Sequence, residues 1–153
     1  MGNDKMIDMK HSSARIIPSA GGLQASVLGD PTAPYVVNFV RNGLRITEFA
    51  ALRKTLGVTE ERLAAWLGMS RATLHRRKKS GHLDRAESDR LVRYARLFLR
   101  AAEVLGGADS ARSWLAAAAF AFDGESPLDY ADTEIGAREV EALLGRIEHG
   151  VFS

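Results

Sequence analysis

Arg71, His75 and Arg76 fall within one short basic stretch, SRATLHRRKKS at residues 70–80, and are the side chains best suited to read a nucleic acid. An arginine can aim two parallel N–H donors at the O6 and N7 acceptors of guanine, and a helix carrying such side chains near its N-terminus fits the major groove. Arg71 and Arg76 are the candidates for those bidentate contacts. Ser70, Ala72 and His75 fall at or near base edges beside them, and Thr73 turns towards the backbone or the packing face. Arg77, Lys78 and Lys79 are expected at phosphates, where they position a protein without reading sequence.

The element before this stretch positions it. In TEERLAAWLGM, residues 59–69, Ala64 supplies a small residue, Gly68 a turn and Leu74, further on, a buried apolar side chain, the pattern of a helix-turn-helix. Thr59 and Ser70 are the expected N-caps, and Glu60 and Glu61 suit the positive end of the helix dipole. One departure stands out: Arg77 occupies a position where many such motifs keep a second apolar residue. Tri-helical units also occur in proteins that never touch DNA, with Trp66 and Leu74 in the core either way, but a basic second helix argues for DNA.

Charge is distributed unevenly. Residues 62–100 carry 11 Lys/Arg against 3 Asp/Glu, whereas residues 101–153 carry 3 against 10. The basic block coincides with the second motif helix and the one after it, as a phosphate footprint would. The acidic third should avoid DNA and serve a protein partner, and it is the natural place for the dimerisation that specific sites require.

Other chemistry is poorly supported. The chain has no cysteine, which excludes disulfides, thiolate catalysis and cysteine zinc sites. His11, His75, His82 and His149 are scattered without metal-ligand spacing, and there is no G-x-S-x-G or glycine-rich phosphate loop. No enzyme activity, metal or cofactor is expected. No apolar run approaches the ~20 residues of a membrane span, and charges interrupt the N-terminal MGNDKMIDMK, so a cytoplasmic protein with no membrane partner is expected.

The fold class expected is all-α, with an N-terminal helix-turn-helix unit followed by a helical C-terminal module. Residues 1–34 hold three of the four prolines and read as a flexible arm. Residues 35–100 form the helix-turn-helix region and 101–153 the C-terminal domain. YVVNFV, residues 35–40, fits a helical turn or a strand equally. Thr47 is the expected cap of a helix ending at Gly57. Further helices are expected over 70–80, 84–105, 108–122, 128–131 and 133–149.

Several motifs in order give the chain a resemblance. Trp114-Leu115, Gly124 with Ser126-Pro127-Leu128-Asp129, Asp132-Thr133-Glu134 with Gly136, and Leu144-Gly145-Arg146-Ile147 to Gly150 are similar to the C-terminal domain of the Xre/ParS/MbcA-like antitoxins, which partner RES-domain toxins. YVVNFVRNGL, HRRKKSGHL and AESDRLVRYARL resemble the same family, so the likeness covers roughly residues 35–153. It implies a type II antitoxin that blocks an NAD-degrading RES-domain toxin and represses its own operon as a homodimer on an inverted-repeat operator. Carried onto this sequence, the toxin-binding set is Trp114, Glu148, His149, Val151, Phe152 and Ser153, with the C-terminal tail lying in the toxin's active-site cleft. Trp114 also has an ordinary core reading, and Phe152 can equally fold back on its own helix. The family's Pro-Asn pair is replaced here by Ala118-Ala119, and the alanine run Ala116–Ala119 is expected to extend a helix where relatives turn. The alternative function is a stand-alone regulator whose C-terminal module only dimerises.

Overall fold

The computed structural model describes residues 29–150. The expectations for residues 1–28 and for Val151, Phe152 and Ser153 lie outside the described residues. Every regular element among the described residues is helical: α1 (Val36–Asn42), α2 (Ile46–Leu56), α3 (Glu60–Trp66), α4 (Arg71–Ser80), α5 (Arg85–Leu105), α6 (Ala108–Ala116), a 3-10 turn (Phe120–Phe122), α7 (Pro127–Tyr130) and α8 (Glu134–Glu148). The expected all-α class, with the helix-turn-helix first and the helical module after it, is what forms.

α5 organises the molecule. Asp84 accepts from the Glu87 backbone N–H at 2.7 Å, and the Glu87 carboxylate accepts from the Asp84 N–H at 2.9 Å, a reciprocal cap that fixes where the helix begins. Leu91, Tyr94, Ala95, Phe98, Ala101 and Ala102 recur at helical spacing and are all buried. Each large member of that stripe contributes roughly 1.5–3 kcal/mol by burial. One end of α5 packs on α1 and α2, and its length carries α6 and α8, so both halves of the chain share a single hydrophobic core.

YVVNFV, open between helix and strand from sequence, becomes α1. The helix after it starts two residues earlier than expected. Arg45 holds the N-cap position without a side-chain cap, and Thr47 lies inside the helix. The cause is tertiary, because the Ile46 N–H donates to Gly81 O and the Leu83 N–H to Leu44 O, each at 2.8 Å. That bridge ties the α1–α2 junction to the end of α4. Gly43 sits in it at φ +86, where a Cβ would come within 2.3 Å of Leu83 O.

The expected helix over 108–122 is corrected. α6 stops at Ala116, Ala117 turns extended, and the chain closes a tight loop in which the Ala119 N–H donates to Glu125 O and the Gly124 N–H to Ala119 O, both at 3.0 Å. Alanine propensity favours continuation by only tenths of a kcal/mol per residue, and these loop bonds with the burial of Phe122 outweigh it. Phe122 stacks on Tyr130 with ring centroids 4.6 Å apart. Ser126 and Thr133 cap α7 and α8, Pro127 opens α7, and Gly136 lies so close to Tyr130 O that a Cβ would meet it at 1.8 Å.

Candidate functional surfaces

α3 and α4 form the motif read from sequence. Thr59 Oγ1 accepts from the Arg62 N–H and Ser70 Oγ from the Thr73 N–H, so each helix starts on its expected cap. Gly68 takes φ +78 in the turn, and Arg90 Nη1 donates to Leu67 O at 2.9 Å, filling the space where a Gly68 side chain would stand. Leu63, Ala64, Trp66, Leu67, Met69 and Leu74 are buried beneath.

On the outer face of α4, Ser70, Arg71, Ala72, His75, Arg76, Lys78 and Lys79 are all exposed. Arg76 Nη2 donates to Thr73 Oγ1 at 3.3 Å, which holds the guanidinium along the helix near its N-terminus. Lys78 reaches back to Glu60 at 2.6 Å and clamps α4 to α3. Arg71 and Lys79 make no ion pair among the described residues.

Arg77 behaves differently from its neighbours. It is half-buried, and its Nε and Nη2 donate to the two oxygens of Glu87 at 2.7 and 3.1 Å, with Asp84 at 3.2 Å. The Glu87 hydrogen bond pushes the Arg77 pKa above its usual value. Glu87 is itself buried and already part of the α5 cap. The unusual arginine therefore replaces an apolar contact with a bidentate ion pair that fastens α4 to α5.

Much of the basic block is consumed in the same way. Arg93 pairs with Glu134 at 3.2 Å, Arg96 with Glu134 and Glu141 at 3.8 Å, and Arg100 with Glu148 at 2.8 Å. This ladder joins α5 to α8 and lowers the Glu148 pKa through the Arg100 hydrogen bond. The sequence did hold a signal for it: glutamates spaced by seven at 134, 141 and 148 match arginines along one face of α5. The outward positive surface is thus narrower than residues 62–100 imply, and it centres on α4.

A second feature missed from sequence lies between α3 and α7. Trp66 Nε1 donates to Asp129 Oδ1 at 3.0 Å, and Arg62 reaches the same carboxylate at 3.3 Å while stacking over the Trp66 ring at 5.0 Å. Burial pushes the Asp129 carboxyl up, but the hydrogen bonds from Trp66, Ser126 and Arg62 outweigh it and leave the pKa below its ordinary value. Beneath, Trp66 stacks on Tyr94 at 5.2 Å, and the Tyr94 hydroxyl donates to Leu128 O at 3.1 Å. Arg93 adds a bond to Asp132 O at 3.1 Å.

Of the toxin-binding candidates, Trp114, Glu148 and His149 lie among the described residues. Trp114 is partly buried and packs against the core at the end of α6. Glu148 and His149 are exposed at the end of α8, where Glu148 is held by Arg100 and Gly150 takes φ +70 as the helix stops. Among the described residues no group of histidines and carboxylates could hold a metal ion, and no helix is long and apolar enough to cross a membrane.

Two family models match the chain. Residues 36–96 match the antitoxin Xre-like helix-turn-helix domain, and residues 100–150 match the antitoxin Xre/MbcA/ParS C-terminal toxin-binding domain. The chain is 38% identical over 85 residues to an antitoxin Xre of Yersinia enterocolitica serotype O:8, covering 55% of this chain and 57% of that protein. It is 37% identical over 68 residues to an antitoxin Xre of Photorhabdus laumondii, covering 44% and 46%. The chain thus spans about half the length of the curated relatives it matches. With one domain of each kind on a shared core, the chain belongs to the Xre-like antitoxin family, a family of regulators rather than enzymes.

Proposed function

We propose that this protein is a cytoplasmic type II antitoxin that binds and blocks an NAD-degrading RES-domain toxin and represses its own operon. The observation that carries the reading is the pairing, in one core, of an exposed basic α4 with a C-terminal domain of toxin-binding type. α4 enters the major groove, with Arg71 and Arg76 on guanines, Ser70, Ala72 and His75 beside base edges, and Lys78 and Lys79 on phosphates. Arg77 contributes to placing the helix through Glu87 and Asp84, and any phosphate contact it makes competes with that pair.

A single such unit binds weakly, so two copies engage an inverted repeat with half-sites about one helical turn, ~34 Å, apart. Residues from the end of α8 onward, Glu148, His149, Val151, Phe152 and Ser153, occlude the toxin's cleft. Trp114 supports that domain from within its core. The protein supplies no chemistry and no cofactor. The reading is tested by purifying the chain with the product of the adjacent reading frame and footprinting the complex on DNA upstream of its own gene. A stable complex protecting two symmetric half-sites supports it. Protection without any complex would favour a stand-alone regulator, and a complex without protection would remove the autorepression step.

A further inference from the structure

Phe120 is wholly exposed, at 102% of its reference area, although it stands in a tightly hydrogen-bonded part of the chain. The loop around it is closed by five backbone bonds of 3.0–3.2 Å among Ala119, Phe120, Phe122, Asp123, Gly124 and Glu125. Its neighbour Phe122 is buried and stacked on Tyr130, so the two phenylalanines of FAF face opposite ways, one anchoring the loop and one leaving it. Ala116, Ala117, Ala118 and Ala121 are exposed on either side, which makes the segment a continuous apolar strip at the surface. Isolated exposed apolar residues are ordinary, but a rigidly mounted aromatic within an apolar strip has the form of a binding anchor.

We propose that Phe120 is a docking anchor of the C-terminal domain, inserting into an apolar pocket on the toxin whose rim is basic. The inference rests on reading residues 100–150 as toxin-binding, the description their family model carries. Charge identifies the rim. Asp123 and Glu125 stand exposed in the same loop, and the last 53 residues carry 10 acidic side chains against 3 basic ones. The anchor is separate from the tail. Phe120 is tied through Phe122 and Tyr130 to the start of α8, where Ile135 is also exposed (77%), whereas the proposed plug follows the other end of that helix. A helix of 15 residues spans roughly 22 Å, so the toxin is held at two well-separated points.

The test measures binding of the full-length chain to the purified product of the adjacent reading frame, comparing wild type with Phe120→Ala, Phe120→Trp and, as an exposed control on α1, Val37→Ala. The Phe120 side chain is wholly exposed, so the melting temperature and DNA affinity of Phe120→Ala should stay at wild type. Its toxin affinity should fall by about 30-fold or more, as for a central aromatic anchor. Phe120→Trp and Val37→Ala should stay within about threefold of wild type, and association with the wild type should slow as salt rises. Toxin affinity of Phe120→Ala within about threefold of wild type would overturn the anchor while leaving toxin binding intact. Absence of binding by the wild type would instead remove the toxin-binding reading, and the anchor with it.

Discussion

The indole N–H of Trp66 donates to the carboxylate of Asp129 at 3.0 Å, joining residues 63 positions apart and fastening the first helix of the DNA-binding motif to the short α7 of the C-terminal domain. Arg62 and Ser126 bond to the same carboxylate, so one side chain serves as the meeting point of the two family domains. Asp129→Ala should cost about 1–2 kcal/mol, since three donors lose a charged partner that is itself only half-buried. The sign of the pH dependence follows from a folded-state pKa below the ordinary carboxylate value. The stabilisation is fully present above the unfolded pKa, near 3.8, and fades as pH falls below it towards the folded value. Urea unfolding of wild type and Asp129→Asn should therefore differ at pH 7 and converge as pH falls through the folded-state pKa. A gap that widens with acid would contradict the assignment.

Arg77 gives a prediction opposite to the one its position in a basic helix suggests. Arg77→Ala leaves Glu87 buried beside a cap it cannot fully satisfy, at a cost on the order of 2–3 kcal/mol. Arg77→Leu with Glu87→Gln restores an apolar contact, keeps a capping group and should recover most of that loss. Denaturant midpoints of the three proteins decide the matter. A fully stable Arg77→Ala would show that the ion pair holds nothing.

Arg71→Ala with Arg76→Ala should abolish sequence-specific DNA binding without changing the melting temperature, because both side chains are exposed. Each lost bidentate contact is worth about 1–3 kcal/mol of discrimination. Lys79→Ala should weaken binding to all sequences alike and reduce the salt dependence by about one phosphate contact. Fluorescence anisotropy over a salt series separates the two effects. Retained operator affinity in the double variant would refute this orientation of α4.

Two glycines of α8 should behave oppositely. Gly136→Ala brings a Cβ to 1.8 Å from Tyr130 O, and backbone must move to relieve it, so a loss of several kcal/mol or failure to fold is expected. Gly145 meets nothing within 4 Å, so Gly145→Ala should stabilise by up to about 1 kcal/mol through helix propensity. Thermal unfolding of both variants provides the check.

The legible parts of the molecule are those set by neighbouring residues. Thr59, Ser70, Ser126 and Thr133 cap the helices they precede in sequence, and Gly57, Gly81 and Gly106 end theirs in left-handed conformations. The buried stripe of α5 shows in its spacing. What stayed hidden depends on distant partners. Ala116–Ala119 looks helical until Glu125 O captures the Ala119 N–H, and Thr47 looks like a cap until Gly81 O takes the N–H of Ile46. Arg77, Arg93, Arg96 and Arg100 count as free positive charge in a linear sequence, and only folding brings Glu87, Glu134, Glu141 and Glu148 against them. The exposure of Phe120 likewise follows from where α6 stops.

The central claim is neutralisation of a toxin, and it is tested most directly by inducing the adjacent reading frame in cells, alone, with the full chain, and with the chain lacking residues 149–153, while following growth and cellular NAD. The account predicts arrest and NAD loss with the toxin alone and recovery of both with the full chain. It also predicts renewed loss with the truncated chain, which should still bind its operator. An adjacent product that leaves NAD and growth untouched, or a toxin that the full chain fails to restrain, would contradict it.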